Sequence, residues 1–357
     1  MIDVSKITYR IIATDPDGKQ IDLTPIATDF GWEEGEKELS MRISMKMHNA
    51  KYGDKWLNEI VTGNTPIVCY AQMGKDEDPV LVAWGQVSRW TLAISNPKSE
   101  LSITANDMCI ALRRSKDNQY FSDGTSSKSI ITSVLDEWEI PYDYQGPEEE
   151  HTKKAFKANY LSDIIAKTVS EAEDKNHKHY IIRSIMVDEG DEQKEKVQII
   201  ERGQNKPVYH FDENDNAISV KHDYDVSKLV TRVKIVGKSE KDGKPPVEAV
   251  IDNEKYSPAN YGVRQEIMQT GGKDKSLDDV TKDAKKLLKD KGKPEEKIPL
   301  ELPDVPTVRK GDKIRVHAGD LDGYYFVLSV RHDADDRRMT LQLEEDLASN
   351  GKEEPVS

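Results

Sequence analysis

The sequence predicts an α+β protein that is mainly β, in which a small β-unit occurs twice around a compact α/β module and a helical insertion. The main observation behind this is a pattern that recurs. In residues 64–107, Ile67, Cys69 and Ala71 alternate with other residues, an apolar run follows around Trp84, Val87 and Trp90, and Leu101, Ile103 and Ala105 then alternate with Ser102 and Thr104. In residues 311–345, Ile314, Val316 and Ala318 alternate, Tyr325, Val327 and Val330 follow, and Met339, Leu341 and Leu343 alternate with Thr340 and Gln342. Each block ends on an acid, Asp107 or Glu345. Successive side chains of a strand point to opposite faces, so period-two alternation marks half-buried strands. The spacing of apolar positions carries the match, and two such units in one chain point to duplication of a barrel or sandwich. The second observation is that helical periodicity is confined to a few segments between and beside these blocks.

Taken in order, the first ~110 residues read as mostly β. Ile7–Ala13 and Gln20–Leu23 flank Asp17-Gly18, a hairpin-type turn dipeptide. Leu39, Met41, Ile43, Met45 and Met47 form the clearest strand, with Ser40, Arg42, Ser44 and Lys46 opposite, and a buried core face is favoured over an adaptable Met-rich binding face. Residues 50–63, with Trp56, Leu57 and Ile60, predict a short helix. After Arg114 the pattern changes. Ser126–Glu139 carries Ile130, Ile131, Val134, Leu135 and Trp138 at helical spacing and is stopped by Pro141. A polar loop over 145–154 precedes a second helix, with Ser162 as its N-cap and Ile164, Ile165, Val169 and Ala172 on one side. Strands Tyr180–Val187 and Lys196–Glu201 flank a charged turn, Asp188–Glu195, completing an α/β module over about 115–207.

Strand character resumes at Leu229–Val236, and a polar loop over 238–246 contains Pro245 and Pro246. Ser276–Lys291 predicts a surface helix, capped by Ser276, striped by Leu277, Val280, Ala284, Leu287 and Leu288, and stopped by Gly292 and Pro294. Between Lys273 and Lys297, 16 of 25 residues are charged, so the helix has one narrow apolar seam. Strands return at Ile298–Leu302. The second β-unit therefore reads as early strands near 209–237 and later ones near 298–345, with an insertion between them and a polar tail after Asp346.

Bulk properties exclude several classes. With 357 residues the chain is long enough for two or three domains. A net charge of −14 and a pI of about 5.2 leave no general basic footprint for nucleic acid and disfavour an anionic membrane surface. Cys69 and Cys109 sit in apolar contexts, more as small buried hydrophobes than as a disulfide framework. No apolar run approaches the ~20 residues needed to span a bilayer, and Met1–Thr14 lacks the basic start and apolar stretch of a signal peptide, so folding in a cytoplasm is expected.

Chemistry is sparse. There is no phosphate-binding Gly-rich loop, no H-E-x-x-H and no G-x-S-x-G. His177 and His179 are two apart but have no further ligand, and read as a surface pair. Asp320, Asp322 and Gly323 share part of a calcium-loop pattern without its spacing or terminal Glu, and read as a turn. Asp333–Arg338 is a mixed-charge hairpin turn. No catalytic, cofactor-binding or metal-binding residue is assigned. A repeated β-unit without a chemical signature fits a structural or binding role better than an enzyme.

The order of elements resembles the baseplate hub proteins of contractile phage tails, closest to the hub family of PBSX-like prophages and phage-tail-like bacteriocins. The residues that carry the likeness are Asp163-Ile164-Ile165 ahead of Tyr180-Ile181-Ile182-Arg183, Leu229–Ile235, Tyr261-Gly262-Val263-Arg264-Gln265, Lys310-Gly311-Asp312-Lys313-Ile314, Gly323–Val327, Ser329–His332 and Met339-Thr340-Leu341. The resemblance implies two tube-like antiparallel β-barrels, over 1–114 and over 208–247 with 298–346, a small α/β domain over 115–207, a helical insertion over 248–297 and a polar tail over 347–357. It implies a homotrimer forming a pseudo-sixfold ring that joins the hexameric tail tube to the trimeric central spike, with tape-measure and baseplate wedge proteins as neighbours and excess acid lining or flanking a channel. It implies no enzyme activity, cofactor, sequence-specific nucleic acid or membrane insertion. The alternative is a tail-associated cell-wall hydrolase using a carboxylate pair, which needs a cleft with an acid of raised pKa.

Overall fold

The computed structural model describes residues 3–95, 98–190, 192–213, 219–221, 223–237, 245–270 and 276–351. The protein is mainly β, with 49% strand and 18% helix. It comprises two compact units: one of residues 1–220 with 300–352, the other centred on residues 221–299.

In the first unit both predicted blocks are three-stranded meanders. Pro66–Gln72, Val80–Ser95 and Lys98–Asn106 pair antiparallel in sequence order, as do Lys313–Ala318, Leu321–Asp333 and Arg338–Glu345. The likeness extends to a defect: the register slips by one residue between Val87 and Arg89 in the first block and between Val327 and Ser329 in the second. Such a bulge bends a strand and increases its twist. Arg42–His48 buries Met41, Ile43, Met45 and Met47 along one side, the ordinary core face. Thr8–Thr14 and Gln20–Asp22 form the expected hairpin, with Gly18 at φ +80° in its turn. The expected helix over 50–63 shrinks to Leu57–Ile60, because a two-residue hairpin, Lys51–Tyr52 with Lys55–Trp56, takes the preceding stretch and leaves Trp56 exposed.

The strands join into one continuous sheet. Its order is Ser219–Val220, Glu295–Pro303, Arg338–Glu345, Leu321–Asp333, Ala27–Glu34, Arg42–His48, Lys98–Asn106, Val80–Ser95, Pro66–Gln72, Thr8–Thr14, Gln20–Asp22. Lys313–Ala318 also flanks Leu321–Asp333, and Tyr209–Asp212 pairs parallel to it. Among the described residues no barrel closes on itself, so the two blocks are stretches of a shared sheet.

The α/β module packs helices Ser127–Glu137 and Leu161–Asn176 on strands Tyr142–Gln145, Tyr180–Glu189 and Glu192–Glu201, with Ile130, Ile131, Val134, Leu135, Ile164 and Ile165 fully buried. Ser126 caps the first helix by accepting from the Ser129 N–H. The second helix starts two residues earlier than expected. Strand Lys154–Tyr160 runs straight into it, Tyr160 takes the N-cap position, and Ser162 lies buried inside its first turn. The expected charged turn Asp188–Glu195 is mostly strand. Glu189 faces Lys194 at 3.2 Å and Lys196 at 2.5 Å across the hairpin, so opposite charges support the ladder.

In the second unit, Leu229–Val236 contributes the strand Arg232–Val236, which pairs with Val247–Asp252 and Gln265–Gln269 rather than with the second β-block. Helix Leu277–Lys291 covers this small sheet through Val280 and Ala284, with Leu287 and Leu288 beside them. Ser276 and Asp279 cap each other's backbone as a capping box, while Leu277, expected in the stripe, is exposed. The insertion is thus a helix-on-sheet layer. Most of the expected polar loop (238–244) and the end of the tail lie outside the described residues.

Truncating Ile165 to Ala removes a fully buried side chain from the helix–helix core and is expected to cost about 2–5 kcal/mol in chemical denaturation. A loss below about 1 kcal/mol would show that the α/β core collapses around the cavity.

Candidate functional site

The two β-blocks meet where Ala27–Glu34 pairs antiparallel with the far half of Leu321–Asp333: Glu34 with Val330, Glu33 with Arg331, Trp32 with His332 and Gly31 with Asp333. The approach is close. A Cβ on Gly31 would lie 2.3 Å from the His332 carbonyl oxygen, so only glycine fits. Beside it the Trp32 and His332 rings stack at 4.4 Å with a 16° tilt. His332 Nε2 donates to the Val308 carbonyl at 2.9 Å, and Nδ1 lies 2.6 Å from Asp304 Oδ1. The other Asp304 oxygen accepts from the Tyr9 hydroxyl. Burial, then the Asp304 charge, push the Tyr9 phenol well above its usual range.

A second buried network lies at the end of the seam. Glu34 accepts two bonds from the Arg309 guanidinium, 3.1 and 2.6 Å, and Arg309 lies 5.1 Å over the Trp84 ring. Lys310 Nζ donates to the Gly35 and Glu38 carbonyls. Arg183 reaches in from the α/β module to the Lys310 carbonyl at 3.1 Å and Asp312 at 3.3 Å. Trp84 Nε1 donates to Ser184 and Glu195, and Glu195 also accepts from the Met108 N–H at 2.8 Å. Both blocks and the α/β module therefore meet at one joint. Burial alone would raise the Glu34 carboxyl, but Arg309, with Lys310 and Arg183, brings it down to about 2.

Asp107 is the counter-case. It accepts from the Met41 N–H at 2.9 Å and the Cys109 N–H at 3.1 Å, yet burial, with Glu195 and Glu34 nearby, raises it to about 7. An acid so raised is what a carboxylate-pair hydrolase requires, but Asp107 is 1% exposed. One further constellation has a catalytic outline: Ser127 Oγ is 2.7 Å from His151 Nε2, and His151 Nδ1 is 3.3 Å from Glu171. Ser127 is 0% and His151 2% exposed, Ser127 Oγ also lies 3.1 Å from the Glu149 carbonyl, and Lys154 occupies Glu171. With no access for a substrate, the trio ties a helix N-terminus to the neighbouring strand and helix. Sequence reading missed it because its members are 24 and 20 positions apart.

The residues weighed from sequence do not converge. His177 ends the Leu161–Asn176 helix with φ 57°, so it shares no strand face with His179. Asp320 lies in the turn between Lys313–Ala318 and Leu321–Asp333, and Asp322 pairs with Arg315 at 2.5 Å. Cys69 and Cys109 are buried free thiols, both pushed up by burial. Among the described residues no group of three His, Cys, Asp or Glu could hold a metal. The solvent face of the sheet, with Ser44, Ser102, Thr104 and Thr340, sets cations against acids, as in Arg42 with Glu33, Lys46 with Asp29 and Arg338 with Glu301.

Two predictions follow from the joint. Replacing Arg309 by Met strands Glu34 as a buried charge, so a loss of about 3–5 kcal/mol is expected in denaturation, against a smaller one for Glu34→Gln with Arg309→Met together. Equal losses would mean that the pair is not coupled. The joint also gives a pH signature. Glu34, depressed in the fold, contributes stability above its ordinary 4.5 that is lost as pH falls toward about 2. Asp107, raised in the fold, works the other way: the fold holds a proton that the unfolded chain has released, so stability falls as pH rises from 3.8 to about 7. Asp107→Asn should remove that second slope, and an unchanged slope in melting scans from pH 4 to 8 would assign it elsewhere.

No curated protein sequence matches the chain. Among solved structures, the 43 kDa tail protein of prophage MuSo2 from Shewanella oneidensis superposes with a TM-score of 0.64 at 11% identity, covering 96% of this chain and 99% of its own. The tail protein from Neisseria meningitidis MC58 gives 0.60 at 13%, covering 97% and 99%. Prophage tail protein gp18 from Listeria monocytogenes EGD-e gives 0.51 at 12%, covering 96% and 98%. At these identities the likeness is one of fold. A family model described as YQBQ-like matches residues 90–344, from the exposed hairpin through the last strand of the second block. The chain belongs to the YQBQ-like family.

Proposed function

We propose that this chain is the baseplate hub of a contractile tail, three copies of which form a pseudo-sixfold ring joining the hexameric tail tube to the trimeric central spike. The observation that carries this reading is the sheet order. A group of four strands ending on the long strand Leu321–Asp333 is followed by a second group of four, Ala27–Glu34, Arg42–His48, Lys98–Asn106 and Val80–Ser95. One chain thus holds two like groups side by side, and three chains would present six. A subunit of that kind can match sixfold symmetry on one side and threefold symmetry on the other, and heterologous contacts close such rings. The fold likeness to prophage tail proteins over nearly the whole chain supports it.

In this reading the two groups form the tube-like barrels of 1–114 and of 208–247 with 298–346, less Arg232–Val236, which belongs to the sheet of the insertion, and each barrel is completed by neighbours rather than closed within one chain. The α/β domain over 115–207 and the insertion over 248–297 decorate the ring. The polar, charge-matched sheet face lines the channel and offers passing tape-measure protein few apolar or unpaired charged contacts. The expected excess of acid lining or flanking the channel belongs to the same proposal. Placement within the hub family of PBSX-like prophages, location in a phage or bacteriocin baseplate assembled in the bacterial cytoplasm, and contacts with wedge proteins belong to the same proposal. The role is architectural, without catalytic residues.

Electron microscopy of the purified protein, alone and co-expressed with the neighbouring tube and spike proteins, tests it. A threefold particle with six lobes around a pore is expected. A compact particle with a cleft and no pore, in both preparations, would overturn the hub assignment.

A further inference from the structure

The repeat shows what is missing beside the outer half of Val80–Ser95. The shared bulge fixes the equivalence of the two long strands: Val87/Arg89 matches Val327/Ser329, so Trp90 corresponds to Val330 and Leu92 to His332. In the second block, Val330 and His332 are 2% and 1% exposed, because Gly31–Glu34 pairs along that edge and stacks Trp32 on His332. In the first block the same edge is bare among the described residues. Its last backbone bonds run from Asn64 to the Val87 carbonyl and from Val87 to the Thr65 carbonyl, 2.8 and 2.9 Å, and from Ser88 onward no strand follows. Trp90 is 41% and Ile94 78% exposed there, with Leu92 between them on the same side. An unpaired edge with an apolar stripe is a template for another strand.

One end of the sheet supplies the complement. Ser219–Val220 flanks Glu295–Pro303 and is the last strand in the order, the position in its group that Ala27–Glu34 holds in the other. We infer that the Ser88–Ser95 edge of one copy, with Trp90, Leu92 and Ile94, pairs with the Ser219–Val220 edge of a second copy, repeating between chains the seam made within one. This inference rests on the ring reading and names its contact. Pairing of unlike edges gives a head-to-tail interface, which makes a ring where its rotation closes. The seam also says what the partner must bring: backbone donors and acceptors plus apolar cover for three side chains. A second copy carries a backbone edge of that kind at Ser219–Val220.

A cysteine walk tests it on the full chain. Arg89→Cys, Thr91→Cys and Ala93→Cys are each mixed with a Ser219→Cys chain under mild oxidation. The native thiols Cys69 and Cys109 are buried and do not compete. A disulfide between different chains, strongest at one walk position and identified by mass spectrometry, is expected, since bridging needs Cα atoms within about 7 Å. Trp90→Ser with Ile94→Glu should reduce the oligomer to monomer in light scattering while leaving circular dichroism unchanged. If the double variant keeps the wild-type mass and no walk position bridges, the contact is overturned while the ring stands through another surface. If the wild type is monomeric at every concentration and no bridge forms, contact and ring fall together.

Discussion

The rest of the first unit depends on the backbone pairing of Gly31–Glu34 with Val330–Asp333. It makes one sheet out of two like blocks, and it is permitted by the absence of a single Cβ. At Gly31 the neighbouring carbonyl lies where any side chain would begin. Close approach brings Trp32 over His332, and that stack buries the imidazole against Asp304 and Val308. Burial makes each of those polar contacts obligatory, because an unsatisfied group there costs its full desolvation energy. The seam is therefore specified by interlocking necessities more than by any one strong bond.

The charged joint around Glu34 and Arg309 follows from the same placement. Buried ion pairs add little net stability over well-packed apolar groups, but they penalise every arrangement that leaves a partner unpaired. Glu34 is satisfied only when residues 309–310 arrive beside it, and Arg183 only when the α/β module presents it to Asp312. The network fixes the angle of three substructures at once. That suits a protein whose proposed work is to hold a geometry.

How much of this the sequence reveals depends on the range of the physics. Met41 to Met47, the capping Ser276, and the alternating strands of both blocks were legible because period and cap chemistry are local. Ser162 misled because a strand delivers Tyr160 to the cap first, and Asp188–Glu195 read as a turn because cross-strand ion pairs are invisible until register is known. Trp90 read as part of a core run, yet the core ends before it. Leu229–Val236 was strand as expected, but its partners lie in its own unit. Asp107, Glu34, Arg309 and the Ser127–His151–Glu171 trio could not be found from spacing, since each is assembled from segments far apart in the chain.

That distance has a consequence for how the protein is made. Phe30 donates to Asp335 across 305 positions, so the seam cannot form until the last strands have left the ribosome. During synthesis the first block can collect its own core, whereas Ala27–Glu34 must wait with an uncovered edge for most of translation. Contacts of such long sequence separation form slowly, and waiting edges invite capture by other chains. The same delay orders assembly: a half-made chain has only one of its two four-strand groups, and no complete subunit exists until the C-terminal hairpin has closed.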